Sequence, residues 1–124
     1  MLIRSQDKTA LVKFENIVVN LKLPDSLKVI CWSLQDAQRG GGYFILGEYS
    51  TKEKAMKVLD MIQEAYADFE ASKITSTGLA TAAYTGSYKT PDSVSVGIKV
   101  LKGYAEMVKE SLIFQMPADS EVVA

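Results

Sequence analysis

Hydrophobic and polar positions alternate through the first fifty residues and then change period. Leu2–Ser5 is a brief apolar opening before the polar turn Gln6-Asp7-Lys8. Thr9–Phe14 sets Ala10, Val12 and Phe14 on one face and Lys13 on the other, and Glu15-Asn16 reads as a tight turn. Ile17–Lys22 repeats the period of two that a half-buried strand requires, with Ile17, Val19 and Leu21 facing one way. Pro24-Asp25-Ser26 predicts the next turn. Lys28–Leu34 follows with Ile30, Trp32 and Leu34 on the expected core face, and Tyr43–Tyr49 returns beyond the polar, glycine-rich loop Gln35–Gly42. Five short strands joined by turns predict an antiparallel meander.

After Ser50 the spacing becomes helical. Ser50-Thr51-Lys52-Glu53 matches a capping box, in which the Ser oxygen takes an amide and the Glu reaches back. Ala55, Val58, Leu59, Ile62, Ala65, Tyr66 and Phe69 then form one stripe opposite Lys54, Lys57, Asp60, Gln63, Glu64 and Asp68, so an amphipathic helix is expected over about 51–70. From Ser72 to Ser95, Ser, Thr, Gly and Ala dominate. That stretch reads either as a mobile excursion or, over Thr77–Tyr88, as a weak helix continuing the first. Beyond Pro91, Val94, Val96, Ile98 and Val100 alternate like a strand, while Val94, Ile98, Leu101, Ala105, Val108 and Leu112 step like a helix. Length favours a second helical segment over about 94–111. Ile113–Met116 is a last short strand, and residues 117–124 form an acidic tail expected to fray. The predicted fold class is α+β. A single domain, 1–124, holds an antiparallel sheet of five to six short strands with the 51–70 helix packed on it.

Composition removes chemistries more than it suggests them. Among 124 residues there is no histidine and one cysteine, so a Ser-His triad, a Cys–His pair and His- or Cys-based metal sites have no residues to build them. No cofactor, metal ligand or catalytic residue is expected. Cys31 lies between Ile30 and Trp32 and reads as a small buried hydrophobe, in keeping with a reducing cytoplasm. No apolar run reaches the roughly 20 residues of a membrane span, and no signal peptide is read. The 14 basic and 15 acidic side chains are unevenly spread, at +2 for residues 1–62 and −3 for 63–124. Neither half carries a run of like charge built for nucleic acid.

The remaining candidates are weighed against ordinary roles. Asp7, Glu15, Asp25 and Asp36 fall in predicted turns, where carboxylates bond the local backbone. Arg39-Gly40-Gly41-Gly42-Tyr43 is one copy of a motif that RNA-binding segments repeat, and between two strands it reads as a hairpin loop. It leads into a strand, unlike a phosphate-binding loop. Trp32, Tyr43, Phe44 and Tyr49 could stack bases on an open sheet, or pack across strands. Arg39, Tyr43 and Trp32 are the residues singled out for an interaction site.

Three segments taken together carry a resemblance: the opening Leu2–Lys8 (LIRSQDK), the block Leu46–Ala55 (LGEYSTKEKA) running on through Val58–Tyr66 (VLDMIQEAY), and the close Phe114–Val122 (FQMPADSEV). In this order they resemble a group of small uncharacterised proteins of Gram-positive bacteria and their phages and mobile elements. The resemblance implies a bacterial or phage cytoplasmic setting and a closing Phe-Gln-Met-Pro segment tied to the strand-and-helix body. That group has no assigned reaction, so no site residue is carried over.

The functional expectation is a non-enzymatic accessory or protein-interaction protein, binding a protein partner or itself, with no membrane role. The alternative is a nucleic-acid binder using the sheet aromatics with Arg4, Lys13, Lys28 and Arg39.

Overall fold

In the computed structural model, which describes residues 1–35, 42–86, 99, 102–103, 105–106 and 109–124 and the backbone alone over 75–86, the described elements include six strands and one long helix. The fold is α+β. Leu2–Arg4 (β1), Leu11–Lys13 (β2), Ile17–Leu21 (β3), Lys28–Ser33 (β4), Phe44–Glu48 (β5) and Ile113–Gln115 (β6) lie within a residue or two of the strands that alternation predicts. The helix α1, Lys52–Gly86, begins where the period changes.

The strands divide into two sheets of three, where one sheet is expected from the sequence. Glu15-Asn16 is not a hairpin. A 3-10 turn over Phe14–Asn16 takes the chain out of the first sheet, and β2 and β3 never pair. The Met1 ammonium holds Glu15 at 2.6 Å, and the Met1 carbonyl accepts the Phe14 amide at 3.0 Å, which fixes the corner. The second sheet, β3-β4-β5, is the expected antiparallel meander. The first, β2-β1-β6, is mixed: β1 pairs antiparallel with β2, and β6 returns to lie parallel to β1. A parallel neighbour needs a long crossover, and the chain between β5 and β6 supplies one.

Central β4 is buried on both faces, with Val29, Ile30 and Cys31 all sealed. The expected core face of Ile30, Trp32 and Leu34 holds at its start and fades along the strand, since Trp32 is half-buried and Leu34 exposed. Opposite β4, Ile45 pairs with Ile30 and Gly47 with Val29, so Leu46 is an extra residue, a β-bulge. Gly47 lets the core close in here: a Cβ there would lie 3.0 Å from the Tyr49 hydroxyl and 3.3 Å from Met116 Cε, so both side chains would have to give way.

At the helix start the cap sits one residue later than the capping box predicts. The Thr51 hydroxyl accepts the Lys54 amide at 3.1 Å, while the Ser50 amide turns away to Asp119. Ala55, Val58 and Ile62 carry the buried stripe, and Leu59 is half-buried. α1 does not stop near 70. It continues through Gly86, so residues 72–86 of the expected excursion are helical, and 87–95 lie outside the described residues. Extending a formed helix costs far less than nucleating one, which lets a Ser/Thr/Gly-rich stretch stay helical.

The chain forms two compact units. Residues 1–64 with 113–124 contain all six strands and the first part of α1. Residues 65–112 contain the rest of α1 and, among the described residues, helical positions at 99, 102–103, 105–106 and 109–112, where the second helical segment is expected. Within this second unit the Tyr66 and Phe69 rings stand 6.5 Å apart, and the Lys73 ammonium lies 5.2 Å from the Phe69 ring. Among the described residues no helix is long and apolar enough to cross a membrane.

Candidate functional site

The first unit has two contrasting surfaces, a closed junction and an open edge. The junction begins in the β1–β2 turn. The Ser5 hydroxyl donates to Asp7 at 2.7 Å and accepts the Ala10 amide at 3.1 Å, while the Thr9 amide and hydroxyl donate to the same Asp7 oxygen at 3.0 and 2.7 Å. These donors, the Ser5 hydroxyl foremost, hold the Asp7 carboxyl down at about 2. Lys8, at φ 67°, adopts the left-handed backbone that closes the turn.

Gln6 projects from this turn onto β5. Its side-chain oxygen accepts the Glu48 amide at 2.9 Å, and its side-chain nitrogen donates to the Glu48 carbonyl at 3.1 Å and the Pro117 carbonyl at 3.1 Å. A side-chain amide thus stands in for a neighbouring strand residue. The Gln6 main-chain amide also donates to the Leu46 carbonyl at 2.7 Å, which the bulge has turned outward. From β6, Gln115 donates to the Ser5 and Met116 carbonyls at 3.0 and 2.9 Å.

The closing residues, expected to fray, are tied down by the same junction. The buried Tyr49 hydroxyl donates to the Pro117 carbonyl at 2.9 Å. Burial first, then the charges of Asp119 and Glu121, push its phenol well up. Asp119 accepts the Ser50 amide at 2.7 Å and pairs with Lys54 at 3.4 Å; the Ser50 bond leads in holding its carboxyl low. Val122 is buried. A 3-10 turn over Asp119–Glu121 joins these anchors, so local bonds replace the solvent that would let such a tail fray. The segments that carry the resemblance, around Gln6, Glu48–Lys54 and Gln115–Val122, meet here.

The sequence-predicted candidates scatter. Arg39 and Asp36 lie outside the described residues. Register pairs Phe44 with Cys31 and Trp32 with Val18, and neighbouring positions on a strand face opposite ways, so Phe44 and Trp32 share no face. Tyr49 is sealed. Tyr43 is exposed beside β5 with the Lys22 ammonium 4.8 Å from its ring centre, and the side-chain hydrogen bond between the two raises Lys22 and lowers the Tyr43 phenol. The carboxylates behave as turn residues where described: Asp25 accepts the Leu27 amide at 3.2 Å, and Glu15 binds the Met1 ammonium. Cys31 is buried, and burial pushes its thiol up, away from the reactive thiolate.

The open edge is β2. Met1–Phe14 and Ser5–Ala10 hydrogen bonds set the phase of the β1–β2 ladder, so the main-chain groups of Val12 face β1 and those of Leu11 and Lys13 face outward. The Lys13 carbonyl is taken by the first bond of the 3-10 turn that follows, and among the described residues the Leu11 amide and carbonyl and the Lys13 amide have no partner. Sequence reasoning missed Gln6 and this edge, because neither has a signature in residue type. The one local signal was Lys13 set against an apolar face. Comparisons with family models, curated proteins and solved structures find no match.

Proposed function

We propose that this chain is a non-enzymatic accessory protein of bacterial or phage origin, working in the cytoplasm, and that it acts by binding another protein. One observation carries the reading: β2 leaves the Leu11 amide and carbonyl and the Lys13 amide unused beside exposed Leu11 at 56% and Ile113 at 47% exposure. Strand addition uses such an edge, with main-chain hydrogen bonds giving affinity and alternate side chains giving selection. The shifted carboxylates support it from the other side, since Asp7, Glu15 and Asp119 are all held by contacts that fix the fold.

The nucleic-acid reading needs Trp32, Phe44 and Tyr49 on one surface, and the register and burial keep them apart. The test is affinity capture from a native lysate of a Gram-positive host, together with sedimentation over a range of concentrations. A near-stoichiometric protein displaced by untagged chain, or a concentration-dependent oligomer, is expected. A strict monomer that retains nothing displaceable overturns the proposal.

A further inference from the structure

We propose that the outer edge of β2 receives an extended acidic segment of a partner protein, which adds as a further strand with its carboxylates over Arg4, Lys8 and Lys13. This rests on the interaction reading above and names the site and the chemistry of its occupant.

Three sheet edges of the first unit differ in what their outward main-chain groups meet. On β5, the Gln6 side chain takes both groups of Glu48. On β3, the Leu21 amide donates back to the Asn20 side chain at 2.8 Å, which blunts that edge from within. On β2, the Lys13 carbonyl is taken by the 3-10 turn, and no described group takes the Leu11 amide and carbonyl or the Lys13 amide. The β3 edge still turns the Val19 amide and carbonyl outward, so main-chain groups alone do not single out β2, and charge decides between the two.

Charge selects the occupant. In the register of the first sheet, Leu2, Arg4, Leu11, Lys13, Ile113 and Gln115 share the outer face, and none is acidic. Beside them Arg4, Lys8, Leu11 and Ile113 line a hollow of about 230 Å³ together with Thr9 and Ala10. Among the described residues neither Arg4, Lys8 nor Lys13 belongs to an ion pair. Glu15, whose charge is felt by Lys13, is already taken by the Met1 ammonium. Arg4 is held over the turn by its Nε donating to the Lys8 main-chain carbonyl at 3.3 Å.

A second copy of the chain fits less well, because it would bring a second Arg4, Lys8 and Lys13 to the same seam. Lysine on an edge strand discourages pairing of like with like, and opposite charges across strands favour pairing. A segment alternating acidic and apolar residues satisfies both faces. Its carboxylates fall beside Lys13 and the hollow, and its apolar residues beside half-buried Val12.

The probe is a capped, fluorescent peptide of four Glu-Val repeats, titrated by anisotropy into the full chain, beside a Lys-Val analogue and a Glu-Val analogue N-methylated at alternate amides. The Glu-Val peptide is expected to bind at least roughly tenfold tighter than the Lys-Val peptide, with added salt narrowing the gap. N-methylation in one of the two possible phases should abolish binding, and Lys13→Glu, checked for native circular dichroism, should reverse the preference. Equal binding of the two charges, indifference to N-methylation in both phases, or no binding of the Glu-Val peptide at about 1 mM overturns the assignment. The Lys13→Glu chain separates the two proposals. If the peptide fails and Lys13→Glu still captures a lysate partner, the edge is wrong and the interaction reading stands. If the unmodified chain captures nothing displaceable and does not self-associate, that reading falls as well.

Discussion

The edges of β5 and β2 face the same problem and meet it in opposite ways. β5 would expose the main chain of Glu48 and the carbonyl that the Leu46 bulge turns out, and Gln6 covers all three groups with one side chain and one amide. β2 turns Leu11 and Lys13 outward and covers only the Lys13 carbonyl, with the turn that follows. The difference lies in commitment. At the β5 junction polar groups are used up in holding the opening, the middle and the end of the chain together, so changes there act on stability. At β2 the other polar groups are unspent, so changes there should leave the fold alone and alter what it binds. Residues that stand out in a sequence can therefore be architectural.

The sharpest contrast is between a charge placed inside and the same charge placed on the open edge. Val58 is fully buried on α1, whereas Leu11 is more than half exposed. An aspartate at position 58 has no described cation to meet and must either ionise in an apolar site or fold protonated, a cost of several kcal/mol. That is a large part of the roughly 5–15 kcal/mol that holds a domain of this size. Val58→Asp should lose its cooperative melting transition by circular dichroism. Leu11→Asp should shift stability by less than about 0.5 kcal/mol, as exposed substitutions commonly do. If Val58→Asp melts like the parent, α1 does not close the core and the contrast between the two surfaces fails.

Much of this first unit was legible because its physics is local. Alternation locates all six strands, and helical spacing finds Ala55, Val58 and Ile62, though it gives Leu59 equal weight where the structure leaves it half-buried. Asp7 and Asp25 are readable as turn residues for the same reason. What was illegible is pairing. Nothing in Glu15-Asn16 says that the chain leaves one sheet for another, and nothing in Ile113-Phe114-Gln115 names β1 as its parallel partner. Gln6 reads as polar filler until Glu48 and Pro117 are placed beside it, 42 and 111 positions away. Gly47 within a strand was the available hint, since an interior strand glycine often marks a close approach or a bulge. Tyr49 reads as a stacking aromatic or as cross-strand packing, because alternation cannot show that its hydroxyl finds a buried carbonyl partner.

A smaller effect sharpens the comparison at the level of single hydrogen bonds. Gln6→Ala removes three side-chain bonds and leaves the Glu48 amide and carbonyl as open as those of Leu11. Net contributions near 1 kcal/mol each, reduced where water reaches the exposed Glu48 groups, give a loss of about 1–3 kcal/mol. Lys13→Ala should cost almost nothing. Urea midpoints of the two variants measure the difference directly. Gln6→Glu should be worse than Gln6→Ala, because a carboxylate replaces the donor aimed at two carbonyls. Equal midpoints for Gln6→Ala and Lys13→Ala would mean that the junction is no more committed than the edge.

The mildest prediction concerns pH, and its sign follows from the donors around Asp7. In the folded chain the Ser5 and Thr9 groups stabilise the carboxylate and hold its pKa at about 2, against an ordinary 3.8. The unfolded chain therefore takes up a proton first as pH falls, and stability declines with it. The contribution is complete above the ordinary carboxylate value and is lost as pH drops from there through about 2. Asp119 and Glu15 are lowered as well and act in the same direction. Urea midpoints should hold steady near neutrality and fall below about pH 4. Asp7→Asn cannot gain or lose that proton, so its deficit relative to the parent should be full near neutrality and shrink as pH approaches 2. Lys13 is the last of the influences that lower Glu15, so Lys13→Ala should run nearly parallel to the parent throughout this acid range. A deficit for Asp7→Asn that stays constant with pH would show that the turn is held by shape alone and not by the charge its donors collect.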